Sequence, residues 1–224
     1  MTKDEVMQLI QQNENAGRKK SLLKAGAHEP VFGVLLGYLR KLAEQIGTNH
    51  ELAVELWNTG CTDARLLAVM LFDPKKFDVD TLDHMLDDED FDQLIDDFIY
   101  RCVVFSPHTE VLEKHWYHSN VDQKMRAAWG LIVKKIGNKK YATKEFLDHI
   151  VDVVEKNLVD APKLTQWNMN RALAEVGFRY PDYTKRCLNI AERLGVYKDW
   201  VPAPGCTSPY AVDWINVMLK KGRK

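Results

Sequence analysis

Apolar residues recur at three- and four-residue spacing along almost the whole chain, the signature of helices that each bury one face. Val31-Phe-Gly-Val-Leu-Leu-Gly-Tyr-Leu-Arg-Lys-Leu42 carries such a face. So do Leu52 with Leu56, Leu66-Leu67 with Val69-Met70, Val111-Leu112, Ala127-Ala128-Trp129, and Phe146 with Ile150 and Val154. No stretch alternates cleanly with period two, and no Asn-Gly or Asp-Gly pair marks a hairpin. Breakers fall where helix ends are expected, at Pro30, Gly47, Gly60, Pro74, Pro107, Gly137, Pro162, Pro181 and Gly195. The pattern predicts an all-α chain of about ten to eleven helices joined by short turns.

Several ends carry local signals. Ser106-Pro107 reads as an N-cap followed by proline at the first helical position. Thr143-Lys-Glu-Phe146 opens a helix in the same manner, and Asp160-Ala-Pro162 does so less sharply. Gly195 reads as a C-terminal stop. The stretch 201–210, with three prolines, cannot be helical and leads into a short last helix.

Stacking the helix pairs reveals an internal resemblance. Asn49-His-Glu-Leu-Ala-Val-Glu-Leu-Trp57 leads through a turn into Asp63-Ala-Arg65-Leu-Leu-Ala68. Thr109-Glu-Val-Leu-Glu-Lys-His-Trp116 leads into Lys124-Met-Arg126-Ala-Ala-Trp129. Trp167-Asn-Met-Asn-Arg171-Ala-Leu-Ala174 is a fainter third copy. A repeating pair with an arginine-bearing second helix predicts a curved solenoid, a superhelix of antiparallel HEAT-like helix pairs. The expected organisation is one repeat domain over 1–224, with 201–224 as a tail capping the last repeat.

Charge changes this picture. The net charge of −1 hides two opposite halves. Residues 1–117 carry 12 Lys/Arg and 21 Asp/Glu, a net of −9, whereas 118–224 carry 19 and 11, a net of +8. A basic half can attract a polyanion, although two opposite halves can also simply attract each other. The acidic side is concentrated in 78–97, with ten acidic residues and no Lys or Arg.

Other chemistry is sparse. Cys61, Cys102, Cys187 and Cys206 form no CxxC pair and accompany no zinc-like histidine pattern, so separate reduced thiols and a cytoplasmic location are expected. His115 and His118 share a helix face but have no third ligand near in sequence, and no metal is expected. No apolar run reaches the roughly 18 residues of a membrane helix, and the first residues lack a signal-peptide layout. No Gly-rich phosphate loop or nucleophile elbow is present, so no cofactor is expected.

Two stretches carry a family resemblance. Leu52-Ala-Val-Glu-Leu-Trp57-Asn-Thr-Gly60-Cys-Thr-Asp-Ala-Arg65-Leu-Leu-Ala-Val-Met-Leu71 resembles the early block of the DNA alkylation repair (AlkD-like) glycosylase family. Trp167-Asn-Met-Asn-Arg-Ala-Leu-Ala-Glu-Val-Gly177 is similar to a late inner helix of one branch, as is the ending Gly205-Cys-Thr-Ser-Pro-Tyr-Ala211 with Trp214-Ile215. The resemblance implies a basic groove that holds duplex DNA carrying alkylated bases. The implied reaction excises positively charged N3- or N7-alkylated purines, with a carboxylate beside the sugar cation. Asp96 falls where that carboxylate would stand, while Asp92 falls where the family has a tryptophan. The alternative for Asp96 is a solvated helix face.

Met125-Arg126-Ala127-Ala128 resembles the family's Arg-Arg-Ala-Ala block, with Met125 in place of the first arginine; this implies a phosphate contact for Arg126. Arg171 occupies the position of the family's late tryptophan, and Trp167 lies on the same helix face four residues earlier. Lys134, Lys135, Lys139 and Lys140 flank Gly137 at a helix–helix turn that could track a phosphate strand. The expected DNA-contacting set is therefore Arg126, Arg171, Lys134, Lys135, Lys139, Lys140 and Trp167, in a monomer; the alternatives are a structural arginine capping or bridging helices for Arg126, a helix–helix bridge for Arg171, a core or interface position for Trp167 and plain solubility for the lysines. A non-catalytic module for damaged or branched DNA, and a protein scaffold, remain open.

Overall fold

The computed structural model describes residues 1–87, 89–202 and 205–222. Among them are thirteen α-helices and no strand. In chain order these are α1 (Lys3–Gln12), α2 (Ala16–Lys24), α3 (Leu36–Ile46), α4 (His50–Trp57), α5 (Thr62–Leu71), α6 (Val79–His84), α7 (Asp92–Arg101), α8 (Thr109–Tyr117), α9 (Asp122–Ile136), α10 (Lys144–Asn157), α11 (Lys163–Arg179), α12 (Pro181–Leu194) and α13 (Ala211–Lys220).

The helices outnumber the prediction because three breaks contain no glycine or proline at the point of division, although the one between α8 and α9 was already implied by the Thr109–Trp116 and Lys124–Trp129 helix pair. Asn13 closes α1, and the Asn15 side chain accepts from the Arg18 N–H at 2.8 Å to open α2. Ser119-Asn120-Val121 separates α8 from α9. The acidic segment after α6 separates it from α7. Short polar side chains capture the backbone there as effectively as a breaker does. Thr143 caps α10 as expected, accepting from the Phe146 N–H at 3.2 Å, and Gly195 ends α12 in the left-handed region at φ 64°. Ser106-Pro107 instead forms a turn ahead of α8. Ser106 Oγ accepts from the His108 N–H, and the Thr109 hydroxyl donates back to the Val103 and Ser106 carbonyls.

The chain forms two compact units, Met1–Lys114 and His115–Lys224. The charge halves coincide with them, since residues 115–117 are uncharged at neutral pH.

In the first unit α4 and α5 pair, and α5 packs between α3 and α7. Leu66, Leu67, Leu71, Leu94, Ile95 and Phe98 are buried between these helices. Asp63, fully buried, fixes the chain ahead of α3. Its carboxylate accepts from the backbone N–H groups of Phe32 (2.6 Å), Gly33 (3.1 Å) and Val34 (2.7 Å). Gly33 is obligatory there: its φ is 75°, and a Cβ would lie 2.2 Å from the Lys19 backbone nitrogen.

The second unit is built around α11, which packs on α9, α10, α12 and α13. Asp122, at the start of α9, accepts from the N–H groups of Leu164 (2.9 Å) and Thr165 (2.8 Å) and from the Thr165 hydroxyl (2.6 Å). At the other end the Tyr180 hydroxyl donates to the Ile136 carbonyl at 2.6 Å. Both start points meet and both end points meet, so α9 and α11 run parallel. Residues 160–162 do not supply the cap of α11; the Asp122 carboxylate does. Gly177 lets α13 approach: a Cβ would stand 2.6 Å from Ile215 Cδ1.

Candidate nucleic-acid interface

Two of the three repeat arginines, Arg65 and Arg126, make contacts within their own unit. Arg65 donates through Nε to the Trp57 carbonyl (3.1 Å) and through Nη1 to Glu89 (2.9 Å), and its guanidinium carbon lies 5.1 Å from the centroid of the Trp57 ring. Glu89 is itself buried, and burial pushes its carboxyl above the ordinary value, against the pull of the Phe91 N–H and the Arg65 guanidinium. Arg126 is 1% exposed, and its Nη1 donates to the Leu164 carbonyl at 3.1 Å. Asn168, also buried, donates to the Arg126 carbonyl at 3.0 Å. Arg126 therefore ties α9 to α11, which supports the structural alternative for this arginine over a phosphate contact. A guanidinium sealed between two helices cannot meet a solvated backbone without moving them apart.

The lysines behave differently. Lys134 lies in the last turn of α9, and Lys139 and Lys140 lie in the turn to α10; all three are exposed, and Lys135 is half-buried. Lys135 and Lys140 place their ammonium groups 5.6 and 5.4 Å from the Tyr141 ring centroid. A ring held between two cations keeps them together on one edge. The ring was not singled out from sequence, although an aromatic following a lysine pair is a usable signal.

Arg171 is partly exposed and ion-paired with Glu175 at 3.7 Å. One turn earlier on α11, Trp167 is half-buried among Tyr197 and Trp200, with ring centroids 5.6 and 6.5 Å away. Trp167 belongs to this aromatic cluster over the end of α12, and of its rings Trp200 is the most open, at 54%. Glu175 and Arg179 escaped the sequence reading, yet the i, i+4 spacing of Arg171, Glu175 and Arg179 was visible in it.

Asp96 lies in the first unit, on the half-buried stripe of α7 that also carries Asp92 and Tyr100. Its neighbour Asp97 accepts from Arg101 Nε at 2.9 Å. The stripe lies beside the buried face formed by Leu94, Ile95, Phe98 and Ile99.

Elsewhere, two open clefts of about 470 and 440 Å³ run along α10 and α12. Most of their charges are paired: Arg186 pairs with Asp152 and Glu155, Arg193 with Glu155, and Lys144 with Asp148. Burial, followed by its bond to Asp148, pushes the Tyr183 hydroxyl up to about 12. Nothing in these clefts is arranged as a nucleophile with a base. No cluster of three or more metal-ligating side chains occurs among the described residues, and none of the described helices is long and apolar enough to cross a membrane.

Successive helices held side by side and parallel, as α9 and α11 are, belong to the arrangement of a HEAT-like repeat protein. A solved structure of the same class superposes with a TM-score of 0.85 at 28% identity, covering 100% of this chain and 96% of its own. It is described as "a new family of proteins related to the HEAT-like repeat DNA glycosylases with affinity for branched DNA structures". Residues 6–215 match the family model described as DNA alkylation repair enzyme, and the chain belongs to that family. Two Listeria relatives, Lin0241 of Listeria innocua and Lmo0209 of Listeria monocytogenes, are each 22% identical over 223 residues, spanning 96% of this chain and 96% of theirs.

Proposed function

We propose that the chain binds DNA through its phosphate backbone and favours branched or distorted duplexes over regular ones. The observation that carries this reading is the exposed basic edge at the α9–α10 turn, where Lys134 and Lys139 are exposed and Lys135 and Lys140 flank the Tyr141 ring. Clustered lysines release counterions on meeting phosphates, a sequence-independent source of affinity. Preference for a branch then comes from shape, because backbone contacts position a protein without reading bases. The affinity of the solved relative for branched DNA supports the same direction. The chain acts in this account as a monomer, in the cytoplasm, without cofactor.

A second reading is excision of N3- or N7-alkylated purines, favoured by the half-buried carboxylate of Asp96 on α7. The glycosidic C1′–N bond would break with its electron pair passing to the cationic purine, which leaves neutral. Water would add at C1′ and lose a proton, with Asp96 stabilising the sugar cation. Burial of Arg126 and replacement of the late tryptophan by Arg171 weigh toward binding without excision.

Anisotropy titrations with a four-way junction and a linear duplex of the same strands test the first reading. Tighter binding of the junction, falling steeply with salt, is expected; equal or absent binding refutes it. Incubation with duplex containing N7-methylguanine or N3-methyladenine tests the second. Free base released by the wild type but not by Asp96→Asn supports excision, and no release removes it.

A further inference from the structure

We infer that Arg179 is an additional phosphodiester contact and that Glu175 is the positioning residue that holds it, with Arg171, in place. This inference rests on the DNA-binding reading and extends it to residues outside the lysine edge.

Glu175 is 7% exposed, a carboxylate almost sealed in α11. A buried carboxylate is costly unless paired, and this one is paired on both sides. Oε1 faces Arg171 Nε at 3.7 Å, and Oε2 accepts from Arg179 Nε at 2.5 Å. The three residues follow one another at four-residue intervals, so they stack along one face of α11 and place the two arginines about 12 Å apart along the axis. The contact with Arg179 engages Nε and leaves its two Nη groups without a hydrogen-bond partner among the described residues. The Nη groups form the part of the fork that meets a phosphate in a bidentate manner.

Arg179 is also placed beside the lysines. Its guanidinium carbon lies 3.9 Å from where a Cβ on Gly137 would stand, so the guanidinium packs against the α9–α10 turn. The Tyr180 hydroxyl, bonded to the Ile136 carbonyl, docks the end of α11 against the same turn. The side chain of Arg179 is 31% exposed, so the turn does not cover it. One buried carboxylate thus holds a guanidinium next to Lys134, Lys135, Lys139 and Lys140. The combined edge is strongly cationic and suits a phosphodiester strand.

The discriminating feature is the sign of the Glu175→Gln effect. Removing a negative charge near a DNA-binding edge should tighten binding if Glu175 merely repels DNA. If Glu175 positions the arginines, the neutral amide loses the charge-assisted bond to Arg179 Nε and the ionic attraction at 3.7 Å to Arg171, loosens both, and weakens binding despite the added net positive charge.

The experiment is a KCl series of anisotropy titrations with a fluorescein-labelled four-way junction, using wild type, Arg179→Gln, Glu175→Gln and Lys139→Gln/Lys140→Gln. Arg179→Gln should flatten the slope of log K against log[salt] by about 0.9. Glu175→Gln should weaken binding by roughly two- to tenfold, with a similarly flatter slope and a cooperative melt in circular dichroism. An unchanged slope for Arg179→Gln overturns the contact; tighter binding by Glu175→Gln at unchanged slope overturns the positioning role. Should Glu175→Gln fail to fold, Arg179→Gln decides alone. Loss of slope in the lysine variant without any change in Arg179→Gln removes this inference and leaves DNA binding standing. Absence of salt-sensitive binding by the wild type removes both.

Discussion

Replacing Arg126 separates an architectural arginine from a DNA-contacting one. The side chain is 1% exposed and its Nη1 donates to the Leu164 carbonyl. Arg126→Met keeps most of the aliphatic stem and removes the charged donor. A hydrogen bond from a charged group contributes about 1.5–3 kcal/mol, while the Leu164 carbonyl, in the first turn of α11, keeps its place in the helical ladder. Loss of the buried guanidinium's own desolvation offsets part of this. The net expectation is destabilisation by about 2–3 kcal/mol. In a chain of 224 residues that lowers the melting midpoint by roughly 4–12 °C. Arg126→Ala should cost about 1–2 kcal/mol more, because the packed methylenes leave a cavity. Urea denaturation followed by circular dichroism at 222 nm measures the loss, and junction binding well below the midpoint measures function. The salt slope of Arg126→Met should equal that of the wild type. A wild-type midpoint combined with a slope flatter by about 0.9 would show that Arg126 reaches phosphate, and the architectural assignment would be wrong.

Other outcomes follow from buried titratable groups. Burial pushes the Cys102 and Cys187 thiols up to about 12 and also raises Cys61, whereas Cys206 is exposed. A thiol reagent at pH 8 should therefore modify one cysteine of the native protein and all four in denaturant; rapid native modification of more than one would contradict the packing around them. Glu89 has a folded pKa raised above 4.5, so the folded state binds more protons than the unfolded one in that window. Its contribution is fully present below the unfolded value and is lost as pH rises through the folded value. Glu89→Gln should abolish this decline in denaturation midpoints measured from pH 4 upward, and an unchanged profile would assign the decline to other groups.

The helical architecture was readable because periodic apolar faces and Gly or Pro ends are local properties. Thr143 and Gly195 end their helices as their residue types require. Ends made by Asn13 and Asn15 were missed, since asparagine serves equally well inside a loop. The cap of α11 could not be read locally: Asp122, which provides it, lies 42 residues before Leu164. Arg126 could be read from sequence in two ways for a related reason. A guanidinium following a helix start in each repeat suits a phosphate or a neighbouring carbonyl, and only burial distinguishes them. The lysines at the α9–α10 turn were legible because four ammonium groups near one glycine have few buried destinations. Arg179 was not, because its approach to Gly137 depends on how the ends of α9 and α11 meet.

Hydrogen–deuterium exchange with and without a four-way junction tests the central claim most directly, since it maps where DNA lies without altering the protein. Protection should centre on residues 134–144, with a second patch near the end of α11, while the acidic segment 78–97 exchanges as in the free protein. Protection confined to 78–97, or none at saturating junction, would contradict a basic α9–α10 edge as the surface that meets DNA.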